Sequence, residues 1–334
     1  MSGASRRPVR HDGETRLPRL TTVVASLAIG VLLYFSLVAG IDGQRTLAAI
    51  QRMDPAGWLG IFGLSLANYG LRFVRWHGYM RWLGHRVPLV RHLLVYLAGF
   101  ALTTTPGKAG EGVRAVYLAR RRIPYAHSVA AMFAERLLDL LAIIALSCLA
   151  ILSFSGYAVW VIAPLAVIAG LLAAMHNRRL LKYVQRRVEG ADGMIAGVAH
   201  VFVHAWERAF VLLSWRPLIG GFLIGCLAWA AEGVALYLIA DRLDISLGVT
   251  MAVGIYATSM LIGALSFVPG GLGSTEAAMT ILLKLTGIAS TAALTVVLIA
   301  RLATLWFAVL LGLCCLVALE IEHRWLPAHG RPST

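Results

Sequence analysis

Charged side chains are scarce in this sequence. Asp, Glu, Lys and Arg make up 14% of its 334 residues, whereas about a quarter of a typical soluble domain is charged. Hydrophobic residues make up 59%, and the mean hydropathy is +0.77. These values exclude an ordinary soluble domain and predict an all-α polytopic membrane protein.

Acidic residues, paired cysteines and nucleotide-binding motifs are also lacking. The 16 acidic residues face 30 Lys and Arg, but the basic residues lie between apolar segments, so no nucleic-acid partner is expected. The four cysteines all fall in apolar stretches without CxxC spacing, which argues against disulfides and a metal site. No GxxxxGK[ST] motif is present, so ATP hydrolysis and a cofactor are not expected.

Six apolar stretches reach the length of about 20 residues that a transmembrane helix needs. They are 20–41, 56–74, 124–154, 157–175, 217–240 and 291–318. Two further apolar regions, 93–119 and 247–284, are broken by Pro-Gly motifs near their middle. We interpret these two as re-entrant helical hairpins that return to the side from which they enter.

The distribution of basic residues predicts the orientation, because Lys and Arg are retained in the cytoplasm. With the N-terminus inside and both broken regions re-entrant, the cytoplasmic segments hold 21 Lys and Arg and the outside segments hold 3. This pattern predicts a multi-pass protein of the cytoplasmic (inner) membrane with both termini in the cytoplasm.

An internal repeat divides the chain into two halves of the form helix, broken hairpin, helix. Pro106-Gly107 precedes Arg136-Leu137 by 30 residues, and Pro269-Gly270 precedes Arg301-Leu302 by 32. Because the halves start on opposite sides, the repeat is predicted to have inverted topology, as in many transporters. The predicted organisation is a basic cytoplasmic tail (1–19), a first transmembrane helix (20–41), half A (56–154, hairpin 93–119), a connecting transmembrane helix (157–175), a cytoplasmic interfacial linker (176–216), half B (217–318, hairpin 247–284) and a cytoplasmic tail (319–334).

Ionisable residues inside the predicted membrane region mark the candidate site. Each costs at least about 2.5–3.5 kcal/mol in a bilayer, so they must pair or line a wet cavity. The candidates for substrate binding and translocation are Lys108, Glu111, Arg114, Glu135, Arg136, Asp139, Glu232, Glu276 and Arg301. The candidate hairpin tips are Pro106, Gly107, Gly110, Pro269, Gly270, Gly271 and Gly273.

The hairpin tips suit a phosphate-bearing headgroup, because the N-terminus of a half-helix offers free N–H groups to an anion. For each acid, a structural salt bridge that holds a hairpin to the bundle is the competing interpretation. The acids are expected to pair with the arginines and to exchange partners during transport. The sequence leaves open which of them are structural and which of them gate transport.

Four motifs resemble the lysylphosphatidylglycerol synthase/flippase transmembrane family. They are Pro106-Gly107-Lys108-Ala109-Gly110-Glu111-Gly112-Val113-Arg114, Glu135-Arg136-Leu137-Leu138-Asp139, Pro269-Gly270-Gly271-Leu272-Gly273 with Glu276, and Arg301-Leu302-Ala303-Thr304-Leu305-Trp306. The resemblance covers about residues 20–320 and implies a helical bundle that moves lipids between leaflets. This chain has no soluble synthase domain like the one in the bifunctional members, so it looks like a stand-alone flippase.

The leading hypothesis is a lipid flippase without enzymatic activity, which moves a phospholipid or polyprenyl-phosphate-type lipid through a polar cavity between the halves. Two alternatives stay open: an integral-membrane lipid-modifying enzyme, such as a polyprenyl-phosphate glycosyltransferase or a lipid synthase, and a secondary transporter for a small anion. The expected partners are membrane lipids with an anionic or zwitterionic headgroup. A homo-oligomer and a lipid-biosynthesis enzyme partner are left open by the sequence.

Overall fold

A computed structural model describes residues 47–103, 111–151, 177–188 and 194–325, with a few isolated positions between 162 and 173. All regular structure in these ranges is helical, which agrees with the predicted class. The α-helices are α1 (Pro55–Trp82), α2 (Leu89–Ala98), α3 (Val113–Ala119), α4 (Tyr125–Ile151), α5 (Arg178–Val188), α6 (Met194–Leu212), α7 (Trp215–Arg242), α8 (Val249–Leu265), α9 (Ser274–Leu285), α10 (Ser290–Arg301) and α11 (Phe307–Trp325). Short 3₁₀ turns occupy Gly99–Leu102 and Pro269–Gly271, and a π-helix at Leu302–Trp306 joins α10 to α11.

Two of the described helices are long and apolar enough to cross a membrane by length and composition. They are Trp215–Arg242 and the continuous helix Ser290–Glu322. Helix α4 has 27 residues, but three charged residues lie near its middle. The predicted segment 20–41 and most of 157–175 lie outside the described residues, so the number of spans stays a prediction.

The two halves repeat each other at a nearly constant sequence offset. Helices α1 and α7 both have 28 residues, and they begin and end 160 positions apart, as Pro55–Trp82 and Trp215–Arg242. The turns after them match as well: the N–H of His85 donates to the carbonyl of Met80, and that of Ile245 donates to Ala240. After the breaks the offset becomes 165, which relates the start of α4 at Tyr125 to the start of α10 at Ser290.

The halves interlock through equivalent contacts. Helix α1 packs against its counterpart α7, while α4 of the first half packs against α8 of the second. In the same way, α11 packs against α2 and the 3₁₀ turn at Gly99–Leu102. The two arms of the second broken region, α8 and α9, pack against each other, and α2 contacts α3 in the first. The helices on either side of each break therefore contact each other and also helices of the opposite half.

A glycine permits the close approach of α11 to the first hairpin. A Cβ atom added to Gly312 would lie 2.8 Å from the carbonyl carbon of Phe100 and 2.9 Å from the carbonyl oxygen of Leu97. Because both neighbours are backbone atoms, we expect Gly312→Ala to destabilise the folded protein by about 1–3 kcal/mol. Thermal unfolding of the purified protein in detergent measures this effect.

Gly63→Ala in α1 is the matched control, since no atom lies within 4 Å of a Cβ built there. Alanine is favoured over glycine inside a helix by roughly 0.5–1 kcal/mol, so this variant is expected to be neutral or slightly stabilised. Equal unfolding temperatures for the two variants would contradict the close approach.

Candidate functional site

A cavity of about 360 Å³ with charged side chains on its wall lies between the two halves. Helices α1, α4, α7 and α8 contribute to its wall, together with the second break and the π-helix. Six charged residues line it, three basic and three acidic: Arg72, Arg136, Arg301, Glu111, Asp139 and Glu232. A charged wall at this depth in an apolar bundle is the arrangement expected of a site that accepts a polar or charged ligand.

Carboxylates of α4 hold the arginines of α1 in place. The side chain of Asp139 is hydrogen-bonded by Arg72 at 3.0 Å and also by Arg75 at a shorter distance. One turn earlier, Glu135 accepts from Arg114 at 3.1 Å and from the Tyr96 hydroxyl at 2.8 Å. All six side chains are buried, so each carboxylate compensates charges that would otherwise be isolated from water.

Arg75 is a residue of this cluster that sequence reasoning assigns wrongly. The sequence predicts that Arg75 belongs to the cytoplasmic segment 75–92, one of those that hold the 21 basic residues, because the apolar run ends at residue 74. Helix α1 instead continues to Trp82, and Arg75 is only 2% exposed. Its position three residues after Arg72 on an already charged helix face was the available signal, since residues three apart on a helix are neighbours.

Two ion pairs occupy equivalent positions in the two halves. Arg136 donates to Glu111 at 2.8 Å, and Arg301 donates to Glu276 at 2.8 Å. The acids are 165 positions apart, and so are the arginines, which matches the offset between α4 and α10. In each half the pair joins the outgoing arm of the hairpin to the helix that follows it. The Arg136 side chain is 31% exposed, and it is the most accessible member of the cavity wall pairs.

The second break has a backbone that glycine permits. Gly270, Gly271 and Gly273 all have positive φ, between 63° and 82°, a region that residues with a Cβ rarely adopt. Glu276 accepts a hydrogen bond from the Gly273 N–H at 2.7 Å, and Arg301 donates to the Gly270 carbonyl at 3.1 Å. The N-terminus of α9, where the sequence predicts an anion site, is thus capped in part by the chain's own carboxylate.

A π-helix directly follows Arg301. Its five residues, Leu302–Trp306, widen the helix at the cavity wall, a feature that often accompanies functional sites. The Thr304 carbonyl accepts a hydrogen bond from the Tyr69 hydroxyl of α1 at 2.5 Å. The sequence gives no sign of this irregularity.

Glu232 of α7 lines the same cavity and is 3% exposed. Its hydrogen bond comes from the Tyr256 hydroxyl at 3.5 Å. Within the part of the chain that the structure describes, Glu232 makes no ion pair.

The structure thus brings most of the predicted site residues together. The cavity is lined by Glu111, Arg136, Asp139, Glu232, Arg301, Gly270 and Gly271. Behind them lie Arg114, Glu135, Glu276 and Gly273. The predicted site residues Pro106, Gly107, Lys108 and Gly110 lie outside the described residues. Pro269 begins the 3₁₀ turn of the second break.

Exposed apolar side chains stand where the cavity meets the surface. Phe267 is 87% exposed and Val268 is 42% exposed, and both line the cavity. Phe267 has a φ of 55°, which is unfavourable for a residue with a Cβ. The cavity, with its charged residues, therefore reaches the surface beside exposed apolar side chains at the second break.

The arrangement is that of a helical membrane protein with a charged cavity between two repeated halves. The family described as "Lysylphosphatidylglycerol synthase TM region" matches residues 23–312. The chain belongs to this family, and its placement in a membrane follows from that membership and from its apolar helices.

Three curated relatives are similar over most of this chain. A UPF0104 membrane protein of Methanothermobacter thermautotrophicus is 27% identical over an alignment that covers 87% of this chain and 93% of the relative. A UPF0104 membrane protein of Pyrococcus horikoshii is 23% identical, over 86% and 94% of the two chains. The glycosyltransferase AglD of Haloferax volcanii is 24% identical over 80% of this chain, which spans about half (49%) of that protein's length. Relatives of similar length support a stand-alone domain.

Proposed function

We propose that this protein is a lipid flippase that moves a phosphate-bearing lipid between the leaflets of the cytoplasmic membrane. The observation that carries the proposal is the charged cavity between the repeated halves, with Arg72, Arg136 and Arg301 on its wall. Arginine binds phosphate oxygens through its planar fork of donors. The two halves are taken to have inverted topology, so that the cavity opens alternately to either side.

The size of the cavity and its mouth favour a lipid over a free solute. A volume of about 360 Å³ is near the lower end for small-molecule pockets, so a headgroup fits while two acyl chains do not. The exposed apolar side chains of Phe267 and Val268 at the mouth give those chains an apolar surface. In the proposed mechanism the headgroup enters the cavity and the chains stay in the bilayer.

Ion-pair exchange gives the headgroup a route through the cavity. A phosphate that binds Arg136 competes with Glu111, and one that binds Arg301 competes with Glu276. Because these pairs tie the hairpins to the following helices, we infer that headgroup binding loosens the hairpins. Energy for net transport would come from a gradient or from consumption of the lipid on one side.

The test is a dithionite-protection assay in liposomes that contain fluorescent lipids with different headgroups. We expect the wild-type protein to expose inner-leaflet phosphatidylglycerol to dithionite at least about tenfold faster than protein-free liposomes do. Arg136→Ala and Glu111→Gln are expected to abolish most of this gain, because the first removes a cation that binds the phosphate and the second removes the carboxylate with which the phosphate exchanges.

Arg91→Ala is the matched control, since Arg91 forms a pair of similar length with Glu322 at 2.7 Å, but both side chains are more than a third exposed. Its transport rate is expected to equal that of the wild type. A folded wild-type protein that moves no lipid of any headgroup tested, polyprenyl phosphate included, would refute the proposal.

One relative, AglD, is named as a glycosyltransferase, which favours an enzyme as the second candidate function. It is examined by incubating the protein with a polyprenyl-phosphate sugar donor and membrane acceptors and following sugar transfer by mass spectrometry. We expect no transfer above that of protein-free membranes. Transfer that depends on Asp139 or Glu232 would instead support the enzyme.

A further inference from the structure

Glu232 differs from every other acid around the cavity. Glu111, Glu135, Asp139 and Glu276 each accept a hydrogen bond from an arginine at 3.1 Å or less. Glu232 has the Tyr256 hydroxyl at 3.5 Å, and no ion pair within the described residues. A buried carboxylate without a cation costs far more than a neutral carboxyl group that shares a hydrogen bond.

Each helix that packs against α7 places charged or titratable side chains around Glu232. Helix α1 presents Tyr69 and Arg72, α8 presents Tyr256, and α10 ends in Arg301, while Asp139 of α4 lines the same cavity. Both arginines are engaged elsewhere: Arg72 by Asp139 at 3.0 Å, and Arg301 by Glu276 at 2.8 Å. The positive charges nearest to Glu232 are therefore already compensated by other carboxylates.

We propose that Glu232 is a proton-binding site, and that one proton binds there together with one anionic headgroup in the cavity. This inference rests on the proposed function and adds the co-transported species to it. The carboxylate takes up a proton from the aqueous phase to which the cavity is open, and it releases the same proton on the other side. No other bond forms or breaks.

Coupling follows from charge, without any contact between the proton and the lipid. A phosphate that binds Arg72 or Arg301 neutralises part of the positive charge near Glu232. The ionised form of Glu232 then becomes still less favourable. By linkage, a protonated Glu232 must favour the phosphate to the same degree. The cavity then gains one proton with each negative charge, so its net charge is the same with and without the headgroup.

The protonation state is measured directly by infrared difference spectroscopy of the purified protein at neutral pH. We expect a carbonyl stretch of a protonated carboxyl group in the wild type that is lost in Glu232→Gln. Glu276→Gln, which alters a paired acid, is expected to keep it. Glu232→Asp retains a carboxyl group, so its band is expected to shift in frequency. Absence of the band in the wild type, or its survival in Glu232→Gln, would overturn the proposal.

Coupling is measured in liposomes that contain fluorescent phosphatidylglycerol and carry a pH gradient. If one proton moves with each lipid, one pH unit supports about a tenfold leaflet ratio at steady state in the wild type. In Glu232→Gln we expect the ratio to stay near one at every gradient. If lipid moves in the wild type but the leaflet ratio does not change with the pH gradient, the proton coupling is refuted and the proposed flippase function is not. If no lipid moves, the flippase fails, and the infrared band still decides whether Glu232 binds a proton.

Discussion

Replacing Asp139 with asparagine is expected to destabilise the protein by about 3–5 kcal/mol, because two buried arginines lose their nearest carboxylate and keep only Glu135, at 3.6 and 3.7 Å. Arg72 and Arg75 both donate to Asp139, and both arginines are less than a tenth exposed. Asparagine has nearly the same shape, so the change removes charge with little change in packing. Unfolding of the purified protein in detergent, followed by temperature or denaturant, gives the difference.

Two further variants make this result specific. Glu322→Gln breaks an exposed pair with Arg91 and should cost no more than about 1 kcal/mol. Adding Arg75→Met to Asp139→Asn removes one of the uncompensated cations, so we expect part of the lost stability to return. The ion cluster would not have the role assigned to it if Asp139→Asn unfolded at the same temperature as Glu322→Gln.

The sequence predicts most members of this cluster because charge is so rare in its apolar segments. Glu135, Arg136 and Asp139 interrupt an apolar helix, and such residues must pair or face a cavity. Their spacing also places Glu135 and Asp139 on one helix face. These inferences need no knowledge of the partner helices.

The partners themselves could not be predicted, because they depend on how distant helices pack. Which arginine binds Asp139 is decided by the contact of α1 with α4, 64 to 67 positions away in sequence. The sequence places Arg75 outside the membrane region because the apolar run ends at residue 74, whereas α1 continues to Trp82 and buries this second charge. The tyrosine hydroxyls that approach Glu135 and Glu232 gave no sequence signal at all.

The sequence predicts the repeat with an approximate register. Matching the Pro-Gly motifs relates Pro106 to Pro269, an offset of 163, whereas the helices show 160 before the breaks and 165 after them. The second hairpin is longer by five residues, so no single offset aligns both halves. Only the corrected register shows that Tyr96 and Tyr256 are equivalent, since they are 160 positions apart, and that both approach a buried acid.

Replacing Arg301 with alanine is expected to lower the rate of lipid transport by at least about thirtyfold, a loss within the 2–5 kcal/mol of a truncated buried pair. Arg301 joins three parts of the second half: it donates to Glu276 at 2.8 Å, to the Gly270 carbonyl at 3.1 Å and to the Met260 sulfur at 3.9 Å. The dithionite assay measures the effect, with rates normalised to the amount of folded protein.

A series at the same pair separates charge from backbone support. Glu276→Gln removes the charge but keeps one carbonyl oxygen, which can accept a hydrogen bond from the Gly273 N–H or from Arg301. The transport rate of this variant should therefore fall less than that of Arg301→Ala. Arg301→Lys keeps the positive charge but not the planar fork of donors, so its transport rate should lie between those of Glu276→Gln and Arg301→Ala. Arg242→Ala, at a pair with Asp54 whose side chains are at least 40% exposed, should transport at the wild-type rate. Because the pair repeats that of Glu111 and Arg136, the same order of effects is expected there. A Glu276→Gln defect larger than that of Arg301→Ala would mean that the cap of α9, and not the arginine, limits transport.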